Sequence, residues 1–485
     1  MIDEHKPVGR PLNIMARYAA VFALFFAYNA NFIHLHFENG GYLLDSGWFA
    51  WLFQSTGLQL PNPASIGDSS YFSIHFSPYI LLFSNLFHGV FGLSGIQVFS
   101  IHQGMFGGIL GVACLSLLMP DETGSLRGLL ILLIVAMLIF FNQVYLSTVG
   151  YPHFEMAGTA ILIAGLAAAR RCNWALGSFL LLFNIAIRED GGFQSAAVAL
   201  AIIGESLLRR DRQTPFWLMG TVFVLSVVGS FGTLAAKEIW FPGGGTLTSN
   251  FTGSPAFAHL GGELIADRLA KFASRPELLA PVVVTVLAAI VFRRLSYLLL
   301  LVFYSPLLVL YLVAVRDLLG EFQLYYALPF LVIAMWPFYV FAREPSGLRM
   351  ARPALMLIPL MMASPIVGLF GAPGPGLGFV SRTLHPANYE TRAMQAAIVD
   401  SLDSAAPNAR ICPTVGVVAL EPNQFTPEQT RWNQAPEQCD IALVFRGDLD
   451  EARVARLLAD RTIEAKTEIF GPRVVELLLE PAGGD

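Results

Sequence analysis

Charge is scarce in this chain. Only 13% of its 485 residues are Asp, Glu, Lys or Arg, while 55% are hydrophobic. That deficit excludes an ordinary soluble globule, which needs polar turns and a charged skin at short intervals. Cysteine is nearly missing too. Cys114 and Cys172 lie in or beside apolar runs, Cys412 and Cys439 in a polar tail, and no CxxC pair exists, which excludes a metal framework of that type. There is no P-loop, no GxSxG, no HExxH and no Walker motif for a primary pump. The net charge of −5 gives no pointer to nucleic acid.

What fills the chain instead is apolar sequence of bilayer length. Runs of about 16 to 23 residues recur from Ile14 to Phe370, and the mean hydropathy is +0.59. Hydrophobic windows predict eleven spans, near 14–36, 95–119, 127–147, 154–170, 173–188, 191–208, 215–236, 278–292, 295–315, 322–342 and 353–371. The first run lacks a small-residue cleavage site and is expected to be retained as a span.

Cations collect at Lys6, Arg10 and Arg17, at Arg127, at Arg170 and Arg171, at Arg209, Arg210 and Arg212, at Arg293 and Arg294, and at Arg343, Arg349 and Arg352. The positive-inside rule puts these clusters and the N terminus in the cytoplasm. The loops around Asp45, Gly150, Glu189, Gly245 and Arg316 then share the outer face, and a bacterial inner (plasma) membrane is the expected location. The stretch His75–Leu93 would invert everything downstream if it crossed. It also carries polar residues, so it is expected to lie at the outer interface or to re-enter.

Residues 173–208 are too long for one span and suit a helical hairpin with Arg188, Glu189, Asp190, Gly191 and Gly192 at its outer tip. The glycines permit the reversal, and the tip is either part of a site or a solvated turn. Beyond the spans, GAPGPGLG (Gly371–Gly378) opens a polar tail, and residues 379–485 read as a small outer α/β domain. A helix is expected over 389–402, strands near ARICPT and CDIALVF, a helix near DEARVARLLAD, and a closing hairpin in TIEAKTEIFGPRVVELLLE. In an oxidising compartment Cys412 and Cys439 would close a disulfide; otherwise they are free thiols.

Chemistry collects on the outer side. Asp45 opens an amphipathic stretch with Trp48, Phe49, Trp51, Leu52 and Phe53, expected to lie flat at headgroup level, and Asp45 equally suits a helix N-cap. His153 and Glu155 stand at a span start, where a helix dipole alone favours a carboxylate. His75, Arg188, Glu189 and Asp190 belong to the same depth. Convergence of these residues would make a polar site beside a lipid-accessible wall. A carboxylate there could deprotonate an acceptor hydroxyl while Arg188 and a histidine neutralise the phosphate of a lipid-linked sugar. Alternatively, Asp45, His153, Glu155 and Asp190 could ligate manganese or magnesium. The stretch RDLLGEFQLYYALPF either lines the same cavity or forms an aromatic belt.

The ordered motifs LLDSGWFAWLFQ, HFSP, HFE, REDGG and YYALP, followed by a small polar domain, resemble an uncharacterised membrane protein family, domain of unknown function 2079. More distantly the chain is similar to the GT-C superfamily of integral membrane glycosyltransferases. The resemblance implies a mainly α, GT-C-like transmembrane bundle over 1–371 with an extracytoplasmic active site and Asp45 as its catalytic acid-base residue. Glu155 matches the second acid, with His153 just before it, and His75 falls where an interfacial helix approaches the lipid phosphate. The expected function is transfer of a sugar from a polyprenyl-phosphate donor to a glycan, lipid or protein acceptor, with His75, His153, Glu155, Arg188, Glu189 and Asp190 binding substrate. The alternatives are a proton-coupled secondary transporter or lipid flippase, which predicts inverted repeats and mid-span acids, and a non-catalytic envelope scaffold.

Overall fold

Gly104, Gly107, Gly108 and Gly111 form a smooth stripe on one helix, and a side chain at any of them would run into Phe26, Asn29, Phe22 or Phe25 of the first helix. Small residues at this spacing let two backbones approach closely, which is how helices associate where no hydrophobic driving force acts between them. In a computed structural model of the chain, these two helices, α1 (Pro11–Asn39) and α3 (Gly95–Leu118), begin a mainly helical array. The structure describes residues 11–39, 49, 52–58, 70–73, 75–118, 126–140, 142–149, 153–211, 213–242, 251–253, 255–343, 391–406, 409–413, 417, 424, 440–445, 463–470 and 474–479.

Between α1 and α3 lies the short helix α2 (Tyr79–Phe83), which continues as a π-helical stretch, Ser84–Val90. Twelve residues rise about 18 Å, well short of a bilayer's hydrocarbon thickness. Exposed Leu82, Leu86, Val90 and Phe91 leave an apolar flank on this segment. The chain continues through α4 (Leu126–Phe140), α5 (Gln143–Val149), α6 (Glu155–Arg170), α7 (Trp174–Ile187), α8 (Gly191–Arg209), α9 (Phe216–Trp240), α10 (Gly262–Ala273), α11 (Pro276–Phe292), α12 (Leu299–Leu312), α13 (Asp317–Gly320) and α14 (Leu328–Ala342).

Among the described residues, five helical stretches are long and apolar enough to cross a membrane: Gly95–Leu118, Gly191–Arg209, Phe216–Trp240, Leu295–Leu312 and Asp317–Ala342. The pair α10 and α11, bent by 81°, makes a sixth if it counts as one span. The expected span at 127–147 is instead interrupted. Asn142 accepts hydrogen bonds from the backbone of Val144 and Tyr145 at 3.0 and 3.2 Å, capping a new helix where the hydropathy window ran on. The expected span at 353–371 lies outside the described residues. Helix α9 most resembles a lipid-facing helix: its 25 residues rise about 37 Å, and exposed Trp217 and Trp240 stand near its two ends, as interfacial anchors do.

The segment before α2 turns its apolar side chains inward. Phe49, Leu52 and Phe53 are at most 1% exposed, packed against Phe99, His102 and Phe154. Their aromatic partners come from α3 and the start of α6, so inward burial wins over interfacial exposure. Asp45, Trp48 and Trp51 lie outside the described residues.

The tail has a core of its own, built on Met394, Ile398, Val417, Ile441, Leu443 and Val474. Helix α15 (Thr391–Ser404) accompanies a four-stranded sheet of order β1-β2-β4-β3, made of β1 (Ile411–Pro413), β2 (Ile441–Phe445), β3 (Ile463–Phe470) and β4 (Val474–Leu479). β1 and β2 are parallel and the other pairs antiparallel. Cys412 is disulfide-bonded. Cys439, the other half of the expected pair, and the expected helix at DEARVARLLAD lie outside the described residues.

Candidate functional site

Segments far apart in the sequence meet at one end of the helices. Helix α6 opens at Glu155, led by His153 and Phe154; the turn between α7 and α8 supplies Arg188, Glu189 and Asp190; the extended residues before α2 supply His75. Tyr311 comes from the last turn of α12, and Tyr325 and Tyr326 from a 3-10 turn, Leu324–Ala327, that leads into α14.

Arg188 is the hub. Its Nη1 pairs with Glu155, and its Nε lies 3.3 Å from Asp190 Oδ1. Glu155 is also paired with His153 Nδ1. Asp190 Oδ2 accepts hydrogen bonds from the Tyr311 hydroxyl at 3.0 Å and from Gln194 Nε2 at 3.2 Å. The His153 ring stacks on Tyr325 with 4.1 Å between centroids, and its backbone carbonyl accepts from Gln103 Nε2 at 3.0 Å. Glu189 pairs elsewhere: its Oε1 lies 2.9 Å from His75 Nδ1. Four of the seven residues singled out in the sequence therefore share one ion-pair network, and the His75–Glu189 pair couples to it through the charge of Arg188. The seventh, Asp45, lies outside the described residues.

The hairpin tip is not a solvated turn. Arg188 is 7% exposed and Glu189 1%. Nor do the glycines after it serve a left-handed reversal, because the positive-φ glycines of the described chain are Gly92 and Gly253. They serve close approach. A Cβ on Gly191 would overlap the carbonyl of Asn184, and one on Gly192 the carbonyl of Ser226 and the hydroxyl of Ser230. The turn is thus pressed between α7 and α9, which buries its charges. The tyrosine face is fixed separately. Arg268, only 1% exposed, donates to the carbonyls of Leu312 and Ala314 at 2.8 and 2.7 Å, holding the end of α12, and Arg275 donates to those of Glu321 and Phe322. This resolves the two readings of RDLLGEFQLYYALPF: Tyr325 and Tyr326 join Glu155, Asn184, Arg188 and Asp190 in lining a small cavity.

Electrostatics decide the protonation of the His75–Glu189 pair. Burial alone would raise the Glu189 carboxyl, but His75 and Arg188 outweigh it and hold the group down at about 2. Burial pushes the His75 imidazole below its ordinary value, with Glu189 opposing. Arg188 is a permanent cation, so Glu189 stays ionised in either state of the ring. A neutral ring then donates Nδ1–H to Glu189 and presents Nε2 as an acceptor, the orientation by which a carboxylate readies a histidine for proton transfer. His75 has 22% of its side chain exposed against 2% for Glu189, so this pair meets its surroundings at His75.

Two expectations change in meaning. Arg188 was expected to neutralise a phosphate, yet it is already shared by Glu155 and Asp190. Of the expected metal candidates, His153, Glu155 and Asp190 do come together, but a guanidinium stands between the two carboxylates where a cation would stand. Among the described residues no group of three or more His, Cys, Asp or Glu side chains could hold a metal ion.

One charged neighbour escaped the sequence reading. Lys237, in the last turn of α9, is 2% exposed and couples electrostatically to Glu189, Glu238 and Arg188. A lone lysine near a helix end reads as an ordinary interfacial cation. The available signal was its spacing from Ser226 and Ser230, which places all three on the buried face of an otherwise lipid-facing helix. No protein-family model, no curated protein and no solved structure matches this chain.

Proposed function

We propose that this protein is an integral membrane glycosyltransferase that moves a sugar from a polyprenyl-phosphate carrier to an acceptor at the extracytoplasmic face, in a GT-C-like bundle with the N terminus in the cytoplasm. The observation that carries the reading is the convergence, at one end of the helices, of the ion-pair network of His153, Glu155, Arg188 and Asp190 with the adjoining His75–Glu189 pair. Carboxylates and histidines at that depth suit the hydroxyls of a sugar whose lipid anchor remains in the bilayer.

In this reading the acceptor hydroxyl oxygen attacks the anomeric carbon, the bond from that carbon to the phosphate oxygen breaks, and polyprenyl phosphate leaves with the electron pair. The acceptor's proton passes to Asp45. Glu155 and Asp190, held by Arg188, and Glu189, held by His75, bind sugar hydroxyls in a fixed geometry. A proton-coupled transporter calls for acids at mid-span. Glu155 and the tip residues Glu189 and Asp190 instead stand at helix ends.

The test is transfer of label. Purified protein given a radiolabelled polyprenyl-phosphate sugar and candidate acceptors transfers label, and Asp45→Asn abolishes transfer while leaving folding and abundance unchanged. Undiminished transfer by Asp45→Asn would remove Asp45 from the reaction, and proton-gradient-dependent uptake without transfer would replace the reading by transport.

A further inference from the structure

Helix α9 turns an apolar surface outward along most of its length, with Val224, Leu225, Val228, Phe231, Ile239 and Trp240 exposed. Its buried face is different. Met219 and Val222 are followed there by Ser226, Ser230 and Lys237. Among the described residues the Oγ atoms of both serines and the Nζ of Lys237 are buried and have no hydrogen-bond partner. Glu189 Oε2 is likewise buried and without a partner among them, although Glu189 Oε1 is taken by His75.

An ammonium sealed from water without a counter-ion is costly, and native proteins keep buried charges paired. Glu189 does not supply the pair: it couples to Lys237 through space, yet no ion pair joins them among the described residues. The other charges nearby do not supply it either. Arg188 has the same sign, and Glu238 lies on the exposed side of α9. Beside the two serine hydroxyls, a charged acceptor on Glu189 and a charged donor on Lys237 are thus left over among the described residues. A ligand bearing both a hydroxyl donor and an anionic oxygen satisfies the two together.

We infer that Lys237 is the cation that receives the phosphate of the bound donor, with Glu189 Oε2 accepting a hydroxyl of the same molecule. This rests on the transferase reading and reassigns within it the role that Arg188, shared by Glu155 and Asp190, is not placed to fill. A lysine suits the task, because its flexible stem delivers a point charge to a phosphate oxygen.

The test pairs binding with stability, in protein reconstituted in phosphatidylcholine nanodiscs. Decaprenyl monophosphate is the probe, with decaprenol and inorganic phosphate as the other arms. Wild type should bind the phosphorylated lipid more tightly than decaprenol. Lys237→Met should weaken the phosphorylated lipid at least tenfold and leave decaprenol unchanged, and Lys237→Arg should recover part of the loss. In the absence of ligand, Lys237→Met should melt at a higher temperature than wild type, because it removes an unpaired buried charge. Unchanged binding of decaprenyl monophosphate by Lys237→Met overturns the assignment. So does a lower melting temperature or failure to fold, either of which would make Lys237 a structural residue. Lys237-dependent binding of inorganic phosphate with no gain from the prenyl chain supports the anion site and sinks the lipid-donor reading instead.

Discussion

His75 Nδ1 and Glu189 Oε1 lie 2.9 Å apart, although 114 residues separate them in the chain. The folded protein binds fewer protons at both groups than the unfolded chain does. Glu189 is held at about 2 from an ordinary 4.5, and His75 is lowered from 6.5. Stability therefore falls with acidification: the contribution of His75 declines below about pH 6.5, and that of Glu189, about 3 kcal/mol, declines between pH 4.5 and 2. Glu189→Gln should flatten the dependence of Tm on pH below 4.5 in detergent-solubilised protein. A variant as acid-sensitive as wild type would show that Glu189 is not held in this way.

Arg188 joins two largely shielded carboxylates, 11% and 19% exposed, and removing it leaves both without their shared partner. Arg188→Met is expected to cost 3–5 kcal/mol on the order observed for broken buried ion pairs. Adding Glu155→Gln should recover part of that loss. A double-mutant cycle on thermal stability measures the coupling, and strictly additive effects would argue against the network.

Gly192 and Gly220 separate close approach from helix propensity. A side chain on Gly192 meets Ser226 and Ser230, whereas nothing lies within 4 Å of one on Gly220. Gly192→Ala should destabilise by about 1–3 kcal/mol through overpacking. Gly220→Ala, within α9, should be neutral or stabilising by up to about 1 kcal/mol. Equal melting temperatures for the two variants would contradict the packing described for α8 on α9.

In the tail, Cys412 is disulfide-bonded. Cys412→Ser should destabilise the tail by about 2–4 kcal/mol, read as a lower temperature of proteolytic cleavage within residues 391–479. The thiols of Cys114 and Cys172 remain free in both proteins, so added reductant should lower wild type toward the variant. Wild type unaffected by reductant would deny the bond a stabilising role.

Much of this architecture is legible in the sequence because periodicity and turn chemistry act locally. The tail's helix and all four described strands fall where apolar alternation puts them, and α1, α3, α8 and α9 follow their hydropathy runs. The site is legible in membership but not in geometry. His75, His153, Glu155 and the Arg188–Asp190 tip are ionisable residues at the ends of apolar runs, which is a local signal. Their mutual pairing depends on which helices pack together, which no local pattern encodes. The break at Asn142 was hidden because hydropathy weighs apolar residues and ignores a side chain able to cap a new helix. Burial of the tip was hidden because charges followed by glycines look like a solvated turn, while the same glycines also permit close approach.

A photoreactive polyprenyl-phosphate sugar, cross-linked to the reconstituted protein and mapped by mass spectrometry, asks most directly whether this network is the donor site. Adducts should concentrate in residues 71–77, 153–155 and 237–241, and excess unlabelled donor should suppress them. Adducts confined to the far ends of the same helices, around Arg170, Arg209 and Arg343, would place the donor elsewhere and contradict the account.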